Sequence, residues 1–372
     1  MKERATVVAV GSRRLDYPRD CDWAKFLNQA PINLVDLSTK TTFVAKSSAS
    51  ERFSWIRNLI FRHFSWAIKL RSILSSIRDY ETNFIFIYKN NHLLLLLCAL
   101  IKSCSKSEAI IVYDSWISLS LKSKTTKQPA FISRLAMYFE QQALSRADRL
   151  ITLSEKYSSY YSKTYGLDES QYIVPISAGS VWENAPKKTS ISNASFAYWG
   201  NFLEQHGVDV ILEAAKLLKD ENLKIYIIGK GKLRAHLEQQ SKAEKIDNIV
   251  FKGYLNDTEL IELVDTTVAC FGHLKPLHDY DLVLPNKAIQ SLSRGKPIIM
   301  INDQSLEHSE LRPEQIAPLL FFDGSPASLA QQIRSLAHET DALQSDLAIR
   351  NYYDTHYSKA VITSKMKLIF KK

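Results

Sequence analysis

The fold of the chain is decided by one stretch, Asp281-Leu-Val-Leu-Pro-Asn-Lys-Ala-Ile-Gln-Ser-Leu-Ser-Arg-Gly-Lys-Pro-Ile-Ile-Met300. Its end continues into Ile298-Ile-Met-Ile301, a short apolar run typical of a buried parallel strand. Apolar residues before that run recur at helical spacing, with Pro285 just ahead of the helix and Gly295 where it should end. The stretch therefore predicts a helix that leads into a buried strand.

Lys287 and Gln290 lie in the first turn or so of this predicted helix. Helix N-termini attract phosphate, because their free N–H groups and the helix dipole both point at the anion. A lysine at that place adds a full positive charge. We therefore predict that this turn holds the diphosphate and ribose of a nucleotide sugar. These residues alone leave an ordinary helix-to-strand corner as the alternative.

Length and composition limit the class of protein. The chain has 372 residues, which suits two domains, and 45% hydrophobic residues, which is enough for two cores. Its four cysteines have no CxxC spacing, so we expect buried free thiols in a reducing cytoplasm and no zinc site. The longest apolar run, at 92–101, is about half a membrane span, so we expect no transmembrane segment.

The positive charge lies wholly in the first half of the chain. Residues 1–180 hold 25 lysines and arginines against 15 aspartates and glutamates, whereas residues 181–372 hold 23 against 24. This imbalance points to a polyanionic partner for one domain only. Residues 52–78 favour an anionic membrane, because a helical projection places basic residues among aromatic ones on the face away from the core. Those predicted to face the membrane are Phe53, Arg57, Phe61, Arg62 and Phe64.

Two alternatives to the membrane interpretation stay open. In the first alternative, another element of the protein covers those aromatic residues, and the arginines only keep the edge of that contact hydrated. Nucleic acid is the other polyanion, but no RNA-binding signature is present, so we expect no nucleic-acid partner.

Short apolar runs and helical patterns alternate along both halves of the chain. Strands are predicted at 7–10, 33–37, 84–88, 109–113, 149–153 and 171–175, and then at 195–199, 224–229, 248–252, 267–271, 298–301 and 319–322. Such alternation predicts an α/β fold with parallel sheets and helices on both faces. Turn-forming residues at 179–193 predict an interdomain linker.

Several motifs follow one another in an order shared with a known family. They are Tyr198-Trp-Gly-Asn201, Tyr226-Ile-Ile-Gly-Lys-Gly231, Ile249-Val-Phe-Lys-Gly-Tyr254 and Leu284-Pro-Asn-Lys-Ala-Ile-Gln290, with Ala147-Asp-Arg-Leu-Ile-Thr-Leu-Ser-Glu155 in the first half. This order resembles glycosyltransferase family 4 (group 1), in the branch with a Pro-Asn/Ser-Lys nucleotide-binding helix. The resemblance implies the GT-B fold, with two Rossmann-like domains facing a central cleft. It divides the chain into an acceptor domain at 1–178, a linker at 179–193, a donor domain at 194–345 and a helical tail at 346–372 that packs back on the first domain.

The chain departs from the family at the donor site. Gln290 and Leu282 stand where the family has two glutamates, with Asp279 and Asp281 nearby. Asn201 and, approximately, His206 replace two cations that hold the diphosphate. Lys287 is the expected substitute for them, and Lys230 is a second candidate.

The resemblance and the residues together give a predicted site. Gly11 permits close approach of the sugar or phosphate, and Asp114 is the candidate catalytic residue for acceptor orientation or proton transfer, with a turn-capping aspartate as its alternative. Asp279-Tyr-Asp281 has the spacing of a metal motif but the wrong position, so we expect no metal. The residues predicted to bind the donor are Gly11, Gly200, Asn201, His206, Gly229, Lys230, Asp281, Lys287 and Gln290.

The predicted function is transfer of a hexose from a nucleotide-sugar donor to a polyprenyl-linked or oligosaccharide acceptor, in surface polysaccharide synthesis. The resemblance implies retention of anomeric configuration and no cofactor. We expect a cytoplasmic protein held peripherally at the inner face of the membrane. A catalytically degenerate GT-B protein that binds a partner is one alternative, because the glutamates and two cations are absent. A nucleotide-sugar epimerase of the same architecture is another.

Overall fold

The computed structural model describes residues 5–14, 18–41, 68, 83–88, 91–116, 118–121, 129–167, 171–186, 194–276, 283–301, 319–338 and 342–371. The chain divides into two compact units. The N-terminal unit is Met1–Pro175 together with Ile362–Lys372, and the C-terminal unit is Ile176–Val361. The five predicted membrane-facing residues, at 53, 57, 61, 62 and 64, lie outside the described residues, and so does Asp281.

The N-terminal unit is built on a parallel sheet of six strands. All six strand predictions of this half are confirmed, although the strand at 171–173 is shorter than predicted and the one at 33–36 is only partly buried. The spatial order is β3-β1-β5-β6-β7-β8, so β1 pairs with β3 on one side and with β5 on the other. These strands are β1 (Thr6–Val10), β3 (Asn33–Asp36), β5 (Asn83–Ile87), β6 (Ile110–Asp114), β7 (Arg149–Thr152) and β8 (Gln171–Ile173).

Sequence patterns missed a small second sheet in this unit. Strands β2 (Ser12–Arg14) and β4 (Thr39–Thr41) pair in parallel, with Ser12 opposite Thr39. Each strand has only three residues, which is too short for a period-2 pattern to show.

Five helices of the N-terminal unit lie within the described residues, and local signals explain where several of them begin and end. Asn91 caps the second helix by accepting a hydrogen bond from the Leu94 N–H group at 3.1 Å, and Ser154 caps the fourth in the same way. Gly166 ends the fourth helix in the left-handed conformation. The helices are α1 (Pro18–Gln29), α2 (His92–Cys104), α3 (Ala130–Leu144), α4 (Glu155–Tyr165) and the C-terminal α12 (Lys359–Ile369), of which residues 362–369 belong to this unit.

The C-terminal helix supplies part of the N-terminal core, whereas residues 346–361 of the predicted tail belong to the C-terminal unit. Ile362, Met366 and Ile369 are buried in the same cluster as Trp23 and Phe26 of α1. The Phe370 ring stacks on the Phe26 ring with centroids 5.8 Å apart. Burial of these apolar side chains removes them from water and stabilises the unit.

The C-terminal unit contains a second parallel sheet of six strands. Its order is β11-β10-β9-β12-β13-β14, with the first strand in the chain at the centre. All six strand predictions of this half are confirmed. The strands are β9 (Ala194–Asn201), β10 (Leu223–Lys230), β11 (Ile249–Lys252), β12 (Ala269–Phe271), β13 (Ile298–Ile301) and β14 (Leu319–Phe322).

Helices cover both faces of this sheet, because right-handed crossovers run from β9 in both directions. One 3₁₀ turn, Glu204–His206, follows β9. The predicted helix of the opening stretch is confirmed as α9. The helices are α5 (Ser180–Asn184), α6 (Val208–Lys216), α7 (Arg234–Ala243), α8 (Asp257–Asp265), α9 (Asn286–Ser293), α10 (Pro326–His338) and α11 (Ala342–His356).

The described part of the chain has no helix that is both long enough and apolar enough to cross a membrane.

Candidate active site

The most informative site lies at the carboxyl edge of the C-terminal sheet, where the ends of its parallel strands meet. The chain leaves β9 on one side for β10 and reaches β12 on the other side. Ligands of open α/β sheets bind in the crevice at such a reversal of strand order. Gly200 and Asn201 end β9, Lys230 ends β10, and His273 follows β12. The first turn of α9 joins this group through Lys287.

Lys287 is a buried cation, with 8% of its surface exposed. Its Nζ atom lies 3.9 Å from the centroid of the Tyr198 ring and has no hydrogen-bond partner among the described residues. No side chain caps the start of α9, where Pro285 is the N-cap residue. A buried ammonium and uncapped helix N–H groups are thus two positive elements at one place, an arrangement that binds an anion.

Burial changes the protonation of Lys287. Loss of solvation lowers the pKa of its amine to about 7. The face of the Tyr198 ring opposes that effect, because its quadrupole attracts the ammonium form. Burial therefore favours the neutral amine, and a bound anion would favour the charged form.

Gly200 leaves open the space beside this amine. Its φ of +133° is a conformation that residues with a side chain rarely adopt. A Cβ atom added there would lie 3.7 Å from the Lys287 Nζ atom. Glycine at this position therefore leaves space for a ligand to reach the Lys287 amine, and a side chain there would reduce that space.

His206 and His273 form a second feature of the site. Their rings stack with centroids 5.3 Å apart and an interplanar angle of 21°. The His206 Nδ1 atom lies 2.8 Å from the Asn201 carbonyl oxygen and 3.2 Å from the Tyr198 hydroxyl. Burial, followed by the charge of Lys287, lowers the pKa of His206 and lowers that of His273 well below its usual range. Both rings are thus neutral at pH 7 and present polar, uncharged nitrogen atoms.

His273 was missed by sequence reasoning, although it carries a signal that would have found it. It follows the strand on the other side of the β9 reversal, and polar residues after such strand ends meet at one edge. The backbone fixes its position, because the Ile301 N–H group donates to the His273 carbonyl at 2.9 Å.

Gln290 lies one turn further along α9 than Lys287. Its Oε1 atom accepts a hydrogen bond from Trp199 Nε1 at 3.0 Å. The Trp199 ring in turn stacks on Trp182 at 5.9 Å with an interplanar angle of 16°. The aromatic pair therefore holds the Gln290 amide in one orientation. A side chain that positions a polar ligand needs such a fixed orientation.

Arg294 anchors the end of α9 and was not predicted. Its guanidinium donates to both carboxylate oxygens of Asp265, at 2.8 and 2.7 Å, and to the carbonyls of Trp182 and Ala185 at 3.0 and 2.9 Å. Arginine and aspartate are almost fully buried. This pair ties α9 to α8 and to the segment that carries Trp182, so it holds Lys287 and Gln290 in place.

Gly229 and Lys230, both predicted to bind the donor, have different surroundings. A Cβ atom on Gly229 would lie 2.1 Å from the Gly200 carbonyl oxygen, so the close approach of two strand ends requires glycine there. Lys230 is exposed, and its carbonyl accepts a hydrogen bond from the Phe202 N–H group at 2.9 Å. The structure thus brings Gly200, Asn201, His206, Lys287 and Gln290 together and gives Gly229 a packing role.

Gly11 and Asp114 lie in the N-terminal unit. Gly11 follows β1 with a φ of +113°, and an added Cβ atom would lie 3.3 Å from Tyr88, which follows β5. Asp114 is fully buried at the end of β6, where Arg19 Nε lies 3.1 Å from each of its carboxylate oxygens. Arg19 also donates to the Val174 carbonyl at 2.6 Å. Any contact between Asp114 and an acceptor would require this ion pair to open.

The described residues contain no group of three or more histidine, cysteine, aspartate or glutamate side chains arranged to hold a metal ion.

The sequence itself matches one protein family. Residues 183–352 fit the family described as glycosyl transferases group 1. The matched part, less than half of the chain, is similar to that family. Lys287, Gln290 and the stacked histidines all belong to it, so the site lies inside the matched region. Among curated proteins, none matches the sequence.

Solved structures show the fold of the whole chain, which is that of GT-B glycosyl transferases. Sucrose-phosphate synthase from Thermosynechococcus elongatus is 13% identical, with 99% of this chain and 98% of that chain covered and a TM-score of 0.69. A glycosyltransferase from Rickettsia africae is 10% identical, with 98% of each chain covered and a TM-score of 0.67. Anabaena HepE in complex with UDP-glucose is 12% identical, with 97% of this chain and 98% of that chain covered and a TM-score of 0.63.

Proposed function

We propose that the protein transfers a hexose from a nucleotide-diphosphate sugar to a hydroxyl group of a glycan or lipid-linked glycan acceptor. The observation that carries this proposal is Lys287, a buried ammonium with no hydrogen-bond partner in the described part of the chain, at an uncapped helix N-terminus. The group 1 family match and the UDP-glucose bound by a protein of the same fold support a nucleotide sugar as the anion.

The chemistry requires stabilisation of the diphosphate leaving group. Negative charge grows on that group as the bond to the sugar breaks, and fixed positive groups in a water-poor site lower the barrier most. Lys287 and the start of α9 supply that charge without a metal ion, so we expect activity in the presence of a chelator. Gln290 holds the ribose, in the orientation that Trp199 imposes on its amide. The resemblance to family 4 supports retention of anomeric configuration.

The proposal also names the acceptor that receives the sugar. A polyprenyl-linked glycan of surface polysaccharide synthesis fits the basic first half of the sequence, and peripheral attachment to the inner face of the membrane follows from that choice. The predicted membrane-facing residues at 53–64 and the candidate catalytic residue Asp114 are part of this proposal.

The degenerate-protein alternative is disfavoured by the same lysine. A buried cation without a counter-charge destabilises the empty protein. A protein that only scaffolds an assembly gains nothing from that destabilisation, whereas a diphosphate-binding enzyme recovers it when the donor binds. An epimerase would also bind the donor, so the acceptor assay below separates it from a transferase.

Calorimetry with UDP-, GDP- and TDP-sugars tests the proposal directly. We expect one nucleotide class to bind, and Lys287→Met to weaken that binding by about 100-fold, because a charge-assisted contact with phosphate is lost. Lys216→Met is the matched control, since Lys216 is an exposed lysine whose partner is Glu244 on the surface, at 2.6 Å. The control should bind the donor normally.

Two results would overturn the proposal. Absence of binding by every nucleotide sugar would remove the enzyme interpretation, and equal binding by the Lys287→Met and Lys216→Met variants would remove the assigned site. Radiolabelled sugar that changes stereochemistry without reaching any lipid-linked or oligosaccharide acceptor would favour the epimerase.

A further inference from the structure

Helix α2 is apolar on the side that faces away from the N-terminal core. His92, Leu94, Leu95 and Cys98 are buried, whereas Leu93 and Leu100 are exposed on the opposite side. Leu96 and Leu97 lie between them and are half-buried. A helix that is hydrophobic all round is normally covered on every side. The outer side of α2 is therefore more apolar than the solvent-facing side of an ordinary surface helix.

Helix α3 repeats this pattern with larger side chains. Phe131, Leu135 and Tyr138 are exposed by 70%, 64% and 61%. Their spacing of four and three residues places them in one stripe along the helix. At 100° per residue, that stripe is opposite the buried Glu140 and Ala143. The exposed aromatic and aliphatic groups are thus aligned on the outer side and not scattered.

The two outer sides face the same way. Helix α2 joins β5 to β6 and α3 joins β6 to β7, and the sheet order runs β5-β6-β7 in one direction. Right-handed crossovers in one direction put both helices on the same face of the sheet. They are in contact there, since the ring centroids of His92 and Phe139 are 6.4 Å apart. We call the surface formed by Leu93, Leu100, Phe131, Leu135 and Tyr138 the α2–α3 face.

The charges around the α2–α3 face are mostly positive. The described residues of 92–149 contain five lysines and arginines against four aspartates and glutamates, of which Glu108 is exposed. Asp114 and Glu140 are buried, and Asp148 accepts a hydrogen bond from Lys102 at 2.7 Å. Arg134 lies within the exposed side of α3, and Lys106 and Arg146 are exposed just beyond the ends of α2 and α3. Such a surface is complementary to an anionic one.

We propose that the α2–α3 face docks on a lipid bilayer that carries anionic headgroups. Phenylalanine, leucine and tyrosine bury their apolar surface at the headgroup boundary, and basic side chains beside them contact lipid phosphates. A protein partner or a second copy of the chain would also cover apolar residues, but the positive surroundings of this face repel another identical face. The face lies on a different segment from the predicted membrane residues at 53–64 and does not depend on the donor site.

Vesicle sedimentation tests the assignment. The probe is the full chain with phosphatidylcholine vesicles, with and without phosphatidylglycerol. We expect binding only with the anionic lipid, and a loss of at least about tenfold in partitioning for the triple variant Phe131→Ser, Leu135→Ser and Tyr138→Ser, because three apolar anchors are removed. Arg134→Glu should also weaken binding to anionic vesicles, and this effect should be larger in low salt than in high salt, because salt screens the charge.

The control variant removes an aromatic side chain that is even more exposed and lies elsewhere in the molecule. Tyr254, in the C-terminal unit, is exposed by 80%, and Tyr254→Ser should sediment with vesicles like the unchanged protein. Thermal unfolding and donor calorimetry of the triple variant should both stay unchanged, since its three residues are exposed and lie in another unit from Lys287.

Unchanged sedimentation of the triple variant with anionic vesicles would overturn the assignment. A dimer in analytical ultracentrifugation that the triple variant converts into a monomer would also overturn it, because the occupant would then be a second copy of the chain. Failure of donor binding alone would affect the proposed function and leave this surface intact.

Discussion

The two sheets differ in how they bury a cation near their carboxyl edges. In the N-terminal unit, Arg19 lies against both oxygens of Asp114 and donates to a backbone carbonyl as well. In the C-terminal unit, the Lys287 amine lies over the ring face of Tyr198 and has no hydrogen-bond partner among the described residues. Burial is similar, at 1% and 8% exposure, so the number of polar partners is what separates the two.

The difference in polar partners distinguishes a charge with a structural role, Arg19, from a charge that is available to a ligand, Lys287. A buried ion pair with good geometry has its lost hydration largely replaced by its partner, and removing one partner leaves an uncompensated charge. A buried lysine without a counter-charge carries its desolvation cost until an anion arrives. Stability measurements on the two sites should therefore give opposite signs for the removal of one charged group.

The largest expected effect is at the N-terminal ion pair. Asp114→Ala should lower the free energy of unfolding by about 3–5 kcal/mol, because Arg19 is left buried and unpaired. Urea denaturation followed by circular dichroism measures this value. The double change Arg19→Met and Asp114→Leu should recover most of the loss, since neither charge is then buried.

A catalytic role for Asp114 makes a different prediction for the same variants. If the double variant regains stability and transfers sugar at the normal rate, Asp114 is structural only. A stable double variant that has lost transfer but still binds the donor would support the predicted role in acceptor orientation.

A smaller effect of opposite sign is expected at Lys287. Lys287→Met should raise the free energy of unfolding at pH 7 by about 1–4 kcal/mol, because a buried charge is replaced by an apolar group of similar length. Loss of the contact with the Tyr198 ring offsets part of this gain. The same variant should lose donor binding, so stability and function would move in opposite directions.

The pH dependence of stability provides a second measurement of this site. The pKa of the Lys287 amine is about 7 in the folded protein and 10.5 without that environment. Between those values the unfolded chain holds the extra proton, so the stability of the folded state rises with pH, by at most about 1.4 kcal/mol per pH unit. The difference in unfolding free energy between the wild type and Lys287→Met should shrink as the pH rises through this window. A difference that is constant with pH would show that the amine is not desolvated.

The smallest expected effect is at Gln290. Gln290→Glu restores the carboxylate that the family has at this place, and a carboxylate accepts hydrogen bonds from ribose hydroxyls and from Trp199 alike. Donor affinity should rise by roughly three- to tenfold, or about 1 kcal/mol. Gln290→Leu should lower it by a similar amount and leave Trp199 Nε1 without its partner. Equal affinity for all three proteins would show that ribose lies elsewhere.

Periodicity and motif order were enough to predict the two parallel sheets, the helix of the opening stretch and the place of Lys287 in its first turn. Contacts between distant segments were not predictable in this way. Arg294 and Asp265 are 29 residues apart, and His206 meets His273 only because β9 and β12 are neighbours in the sheet. Gly229 was predicted to bind the donor, and the structure gives it a packing reason to be glycine, the close approach of the Gly200 carbonyl.

The C-terminal helix has a consequence for the order in which the protein is made. The N-terminal core is incomplete without Ile362, Met366 and Phe370, which pack with Trp23 and Phe26. All of Ile176–Val361 must be synthesised before those residues reach it. At about 5–20 residues per second, the aromatic surface of α1 waits on the ribosome for roughly 10–40 s, long enough for chaperones to bind it. The second unit, continuous along the chain, can finish folding while the first still lacks its last helix.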